Sequence, residues 1–151
     1  MPGIIVSDTS CLILLNKLGR IELLEFLFGA VTITDIVANE YGEKLPGFIK
    51  IENPKDKNYQ RIFETFLGKG EASSLALSLE KDNCLLILDD LKLRKEAKKP
   101  GLRFTGSIGI LILAEEKGYI ANMKQLVQSL KETNFRISKK YMDILLAKGK
   151  H

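Results

Sequence analysis

The sequence predicts an α/β fold in three layers, a short parallel β-sheet with helices on both faces. Short apolar runs rich in β-branched residues alternate with longer amphipathic segments. The best of these runs, CLLIL at residues 84–88, is apolar throughout, as a strand covered on both faces is. At 151 residues the chain has the length of one domain with a sizeable core, and no repeat or linker divides it, so residues 1–151 are expected to fold together.

The elements follow in order. Residues 4–7 (IIVS) make the first strand, which ends on Asp8. Residues 9–18 read as a helix that Gly19 stops, and residues 20–28 start another. AVTIT (30–34) is the second strand, and DIVANEY (35–41) is a short helix with apolar residues at helical spacing. A break from Gly42 to Gly47 leads into FIKIE (48–52), an extended segment ahead of Pro54. Residues 56–67 and 70–81 are amphipathic helices punctuated by Gly68 and Gly70. CLLIL then runs directly into Asp89 and Asp90, and LKLRKEAKK (91–99) is helical until Pro100 and Gly101. LRF (102–104) is the last strand, and a helix opens at Thr105. Two more helices, about 122–132 and 138–148, are expected to pack on the same domain.

Composition narrows the function. The apolar share of 45% and charged share of 28% are those of a globular protein. The net charge of +4 suits a polyanionic partner and equally serves solubility. Cys11 and Cys84 both sit in apolar runs and read as small buried hydrophobes, with no disulfide framework or zinc site. The single histidine, His151, stands at the terminus, native or from a tag, and histidine-based catalysis is excluded. No apolar run is long enough to span a membrane and no signal peptide is visible, so a cytoplasmic protein is expected.

The carboxylates are the informative feature. In open α/β sheets ligands bind beyond the carboxyl ends of the strands. Asp8 ends the first strand and Asp89–Asp90 ends the CLLIL strand, which places them on one edge. Glu40, late in the third helix, and Glu71, after Gly68-Lys69-Gly70, are positioned to lean over the same edge. Each also has a plain structural reading. Asp8 and Asp90 precede helices and serve as N-caps; Glu71 lies in a first turn that favours an anion; Glu40 is an exposed face residue. Taken together, strand-end acids without a matched base point to a cation, and oxygen ligands alone favour Mg²⁺ or Mn²⁺ over zinc. Adjacent residues face opposite ways at a strand end, so one of Asp89 and Asp90 is expected in the pocket while the other caps the next helix.

The ordered pieces IIVSDTSCLILL, the acid of VANE, GEASSLALSLE, CLLILDDLKLRKEA and LRFTGSIGILILAEEKG resemble a prokaryotic PIN domain, near the toxin-like and predicted nucleic-acid-binding subfamilies. The resemblance covers nearly the whole chain. It implies a small Rossmann-like parallel-sheet fold whose acidic pocket cleaves RNA with Mg²⁺ or Mn²⁺. Carried over by position, Asp8, Glu40, Glu71 and Asp90 match the family's acids, with Asp89 a further candidate ligand. Two positions depart from the pattern. Glu71 stands where Asp is usual, and Leu88 stands where a hydroxyl residue usually precedes the fourth acid, which leaves Asp89 and Asp90 both open as ligands.

Other groups are expected to assist. Ser10 can bond a carboxylate or a metal-bound water, or simply open its helix. Thr105-Gly106-Ser107 opens a helix where backbone N–H groups can meet a phosphate, or forms a cap with a tight turn. Lys92, Arg94, Lys95, Lys98, Lys99 and Arg103 form a track for a phosphate backbone or a solvated helix face, and Arg94 is alternatively an ion-pair partner for Asp90. The expected activity is metal-dependent hydrolysis of RNA, with an antitoxin-like protein as a partner implied by the family. A homodimer through the apolar 12–28 hairpin is also expected. Two rivals exist: a receiver-type regulatory domain, whose acid pair belongs after the first strand, and a catalytically silent PIN-like module that binds RNA or protein.

Overall fold

The computed structural model describes residues 3–133, 135 and 139–148; His151 and residue 138, at the head of the last expected helix, lie outside these. Five strands and nine helices alternate among the described residues: β1 (Ile4–Ser7), α1 (Thr9–Lys17), α2 (Leu23–Phe28), β2 (Val31–Ile33), α3 (Asp35–Tyr41), β3 (Ile49–Ile51), α4 (Asn58–Phe63), α5 (Lys69–Leu79), β4 (Cys84–Ile87), α6 (Leu91–Lys98), β5 (Arg103–Thr105), α7 (Ser107–Glu116), α8 (Met123–Lys131) and α9 (Lys139–Lys148). The sheet order is β3-β2-β1-β4-β5, and every neighbouring pair is parallel. The α/β three-layer expectation is met.

Two separate cores cover the sheet, and the pleat assigns each strand residue to one of them. Along β4 and just beyond it, Cys84, Leu86 and Leu88 face the core built on α5 and α6. Leu85 and Ile87 face the core built on α1, α2, α7 and α8. CLLIL is apolar at every position because both of its faces are covered. Met123, Leu126, Val127 and Leu130, at helical spacing on α8, and Leu145 of α9 join the second of these cores.

Chain order then places the site. From β1 the chain adds β2 and β3 on one side, and β4 and β5 lie on the other. The winding reverses between β1 and β4, and a crevice opens above the carboxyl ends of strands at such a switch point. Ser7 pairs with Ile87 there, and the Asp8 N–H continues the ladder to the Ile87 carbonyl at 2.9 Å. Asp8 and Asp89–Asp90 therefore emerge side by side.

Two expectations need correction. The helix expected over 56–67 spans only Asn58–Phe63. The Asp56 carboxylate accepts from the Asn58 N–H and delays its start, while the Thr65 hydroxyl bonds the Ile62 carbonyl and the next bonds tighten to i→i+3. The helix expected from Thr105 begins at Ser107, because Thr105 completes β5 beside Ile87. In the apolar 12–28 hairpin, Leu12, Leu14, Leu15, Leu23, Leu24 and Leu27 are buried in the chain's own core, while Ile13 and Phe26 are exposed. Cys11 and Cys84 are free and buried, and burial pushes the Cys11 thiol up to about 12.

Candidate metal centre

Asp8 stands between β1 and α1 in extended backbone, where an N-cap belongs, yet its side chain caps nothing. It is 5% exposed, and its Oδ1 is buried without a hydrogen-bond partner. Burial pushes its carboxyl up to about 7, the Thr9 backbone N–H works against this, and the charges of Glu71, Glu40 and Asp89 add to it. An orphaned carboxylate oxygen beside other acids is costly unless a proton or a cation joins it.

Glu40 comes from the last turn of α3 and accepts from the Thr9 hydroxyl at 2.6 Å. The elements beneath it explain its position. Thr34 caps α3 through the Val37 N–H and shares a 2.7 Å hydrogen bond with Ser73 of α5. Ser73 and Ser74 both donate to the Gly70 carbonyl, at 2.8 and 2.9 Å. Helices α3 and α5 are thereby pinned, and the Glu40 carboxylate lies where a Cβ on residue 70 would be. Any larger residue there would displace that carboxylate. Glu71 accepts from the Gly68 N–H at 3.1 Å, so its plain reading as a first-turn acid is also met. Its carboxyl is raised too, by burial first and then by Asp90 and Glu40, against the Gly68 bond.

The Asp89–Asp90 pair divides between the two faces of the sheet. Asp90 caps α6, its Oδ1 accepting from the Leu93 N–H at 3.0 Å. Asp89 turns to the other face and takes the Ser10 hydroxyl at 3.0 Å, the Ser107 N–H at 2.7 Å and the Ser107 hydroxyl at 2.6 Å. The expected phosphate seat at the start of α7 is thus filled by the protein's own carboxylate. Thr105 does not join Ser107 on Asp89; its hydroxyl lies against Gly109, within the space a Cβ there would need. A Cβ on Gly106 would likewise displace the Arg94 guanidinium and approach Asp89 Oδ1 to 2.8 Å.

Arg94 makes no ion pair with Asp90 among the described residues. Its Nη2 donates to the Leu88 carbonyl at 3.2 Å, its guanidinium lies 5.6 Å from the centre of the Phe104 ring, and its Nε is buried without a partner. Lys92, Lys95 and Lys98 on α6 and Lys99 just after it are exposed, and the helix carries Lys98 and Lys99 away from the acids. Lys98 lies about 12 Å along the axis from Asp90, and Lys99 is tied to Glu96 at 2.9 Å. Arg103 leaves the track altogether: it opens β5 at the opposite edge of the sheet and bonds Asn83.

Asp8, Glu40, Glu71, Asp89 and Asp90 line one open cavity of about 920 Å³. Among the described residues, no three of these side chains already meet as a metal-binding group. That separation and the orphaned Asp8 oxygen point in opposite directions. Four of the five acids are held by hydrogen bonds, and the Asp8 oxygen is the one left without a partner. The donor set is all oxygen and suits Mg²⁺ or Mn²⁺.

The site contains residues that sequence reasoning passed over. Thr9 had a signal, standing next to Asp8. Gly70 and Gly106 had only their place beside candidate residues. Ile13, Phe104, Ile108, Ile112, Phe135 and Tyr141 line the cavity and had no signal beyond ordinary apolar spacing.

A family model described as a PIN domain matches residues 4–150. No curated protein and no solved structure matches the chain.

Proposed function

The chain belongs to the PIN-domain family, a nuclease-type fold, and from that premise we propose that it is a metal-dependent ribonuclease hydrolysing RNA phosphodiester bonds. The observation that carries this is the buried, unpartnered Oδ1 of Asp8 in a cavity lined by four further carboxylates. Asp8, Glu40, Glu71, Asp89 and Asp90 would hold the ion. When bound, Mg²⁺ or Mn²⁺ supplies an activated water for in-line attack and charge neutralisation at the leaving oxygen.

The chain's own residues prepare that chemistry. Asp8 keeps a proton up to about pH 7, and a cation must displace it, so ion binding strengthens as pH rises. Ser10 and Ser107 fix the Asp89 carboxylate from two helices, and Thr9 fixes Glu40. Such partners of a ligand set its orientation. Lys92, Lys95 and Arg94, nearest the acids on α6, would meet the phosphate backbone.

The test is purified protein with labelled RNA in Mn²⁺ or Mg²⁺. Cleavage that stops in chelator and in Asp8→Asn is the expected result. A mobility shift without cleavage would make the protein a silent binding module instead.

A further inference from the structure

Among the described residues, one basic side chain, Arg94, lines the cavity together with the five carboxylates. It is half-buried and stands one helical turn after Asp90, yet it forms no ion pair with any of them. A Cβ on Gly106 would meet both the Arg94 Nη2 and the Asp89 Oδ1, so these two charges are neighbours. Asp89 nevertheless takes its hydrogen bonds from Ser10 and Ser107 instead.

What holds Arg94 in place is neutral. Its Nη2 donates to the Leu88 carbonyl at 3.2 Å, and its guanidinium carbon lies 5.6 Å from the centre of the Phe104 ring. A guanidinium carries five N–H donors in a fixed plane. One is committed to Leu88, and Nε is sealed from water without a partner. A desolvated cation with spare donors is costly until an anion meets it. The cavity therefore presents an unmet acceptor on Asp8 and an unmet donor on Arg94. A phosphate that arrives with a divalent cation complements both. Lys92 and Lys95 differ, being exposed and free to follow a strand outside the cavity.

We propose that Arg94 is a catalytic residue, whose guanidinium holds a non-bridging oxygen of the phosphate under attack. The proposal rests on the ribonuclease function above and separates Arg94 from Lys92 and Lys95, which only guide the strand. In the hydrolysis, the oxygen of water bonds to phosphorus and the bond from phosphorus to the leaving ribose oxygen breaks. The water gives up one proton and the leaving oxygen takes one up. Arg94 keeps its own protons throughout and stabilises the charge that builds on the non-bridging oxygens. Leu88 and Phe104 set its donors before the substrate arrives, which is what makes such stabilisation effective. Its planar fork matches a phosphate with two parallel bonds, as an ammonium group cannot.

The test separates rate from affinity. Single-turnover cleavage of a labelled oligoribonucleotide by saturating protein in Mn²⁺ reads the bond-breaking step. Arg94→Ala should slow it about 100- to 1000-fold, the worth of one donor aimed at developing charge. On the Asp8→Asn chain, which binds without cutting, the same change should weaken oligoribonucleotide binding by a far smaller factor. Arg94→Lys should stay slow, because a point charge lacks the fork. Free guanidinium ion, kept below concentrations that perturb the wild type, should restore part of the Arg94→Ala rate, which a merely structural role would not produce. A wild-type rate for Arg94→Ala once saturated, a wild-type rate for Arg94→Lys, or a loss that guanidinium leaves untouched would overturn the catalytic role. In each of those cases cleavage that still depends on Asp8 would leave the nuclease standing. Should Arg94→Ala fail to fold, Arg94→Lys, which keeps the stem and the charge, decides by its rate alone. Failure of the wild-type chain to cleave any RNA would remove both proposals.

Discussion

Ser107 meets Asp89 twice, donating its backbone N–H at 2.7 Å and its hydroxyl at 2.6 Å to the two oxygens of one carboxylate. The start of α7 is thereby fastened to the end of β4, across 18 residues of chain. Ser107→Ala keeps the first bond and loses the second. Metal affinity should fall about 10- to 100-fold, as it does when a ligand's supporting partner is removed. Stability should drop by about 1–3 kcal/mol. Calorimetric titration with Mn²⁺ and urea unfolding measure the two effects, and an unchanged affinity would reduce Ser107 to a structural clasp.

The raised Asp8 carboxyl makes the metal-free protein sensitive to pH. Its ordinary value is 3.8 and its folded value about 7, so between those pH values the folded chain holds a proton that the unfolded chain has lost. Folding stability must then fall as pH rises through that window and level off above it. The full effect is on the order of 4 kcal/mol. Asp8→Asn removes it. In chelator the variant should gain on wild type from pH 5 to about pH 7 and keep that lead above it; a gap that does not change with pH would show that Asp8 is not the group responsible.

Gly70→Ala should disable the site while sparing the fold. The new methyl falls on the Glu40 carboxylate, which must leave Thr9. A helical alanine is itself worth about 1 kcal/mol over glycine, which offsets part of the strain. Combining Gly70→Ala with Glu40→Ala should restore melting temperature but not RNA cleavage. If Gly70→Ala alone cleaves at the wild-type rate, Glu40 has no part in the chemistry.

The basic helix can be divided by salt dependence. Lys92 and Lys95 stand nearer the acids, whereas Lys98 lies far along the axis and Lys99 is paired with Glu96. Replacing Lys92 and Lys95 by Ala should reduce the slope of log affinity against log salt by about 1 for each lost phosphate contact. Replacing Lys98 and Lys99 should change it less. Equal effects from both pairs would mean that RNA follows the whole helix.

Much of this was legible in the sequence, and the reason is local. CLLIL reads as a doubly covered strand because every residue is apolar, and Asp8 and Asp89–Asp90 announce themselves by following strands directly. The pleat accounts for Asp90 capping α6 while Asp89 turns the other way, but not for both of them lining the cavity. Contacts between distant positions were not legible, because no period connects them. Thr9 with Glu40 spans 31 residues and Ser10 with Asp89 spans 79. The same distance hid the close approach of Glu40 to Gly70. The sequence left two readings of Thr105–Ser107 open for a related reason: nothing near it shows that Asp89 already occupies the Ser107 N–H. The apolar wall of the cavity was invisible because Ile108 and Ile112 have the same helical spacing as any core residue.

A shared cation pocket around Asp8 is best judged by Mn²⁺ binding to the full chain, followed through the paramagnetic resonance of the free ion. Wild type should bind more tightly at pH 8 than at pH 6, as the Asp8 proton is lost, and Asp8→Asn should bind about tenfold or more weakly and with less dependence on pH. Equal affinity in wild type and Asp8→Asn at both pH values would contradict the pocket.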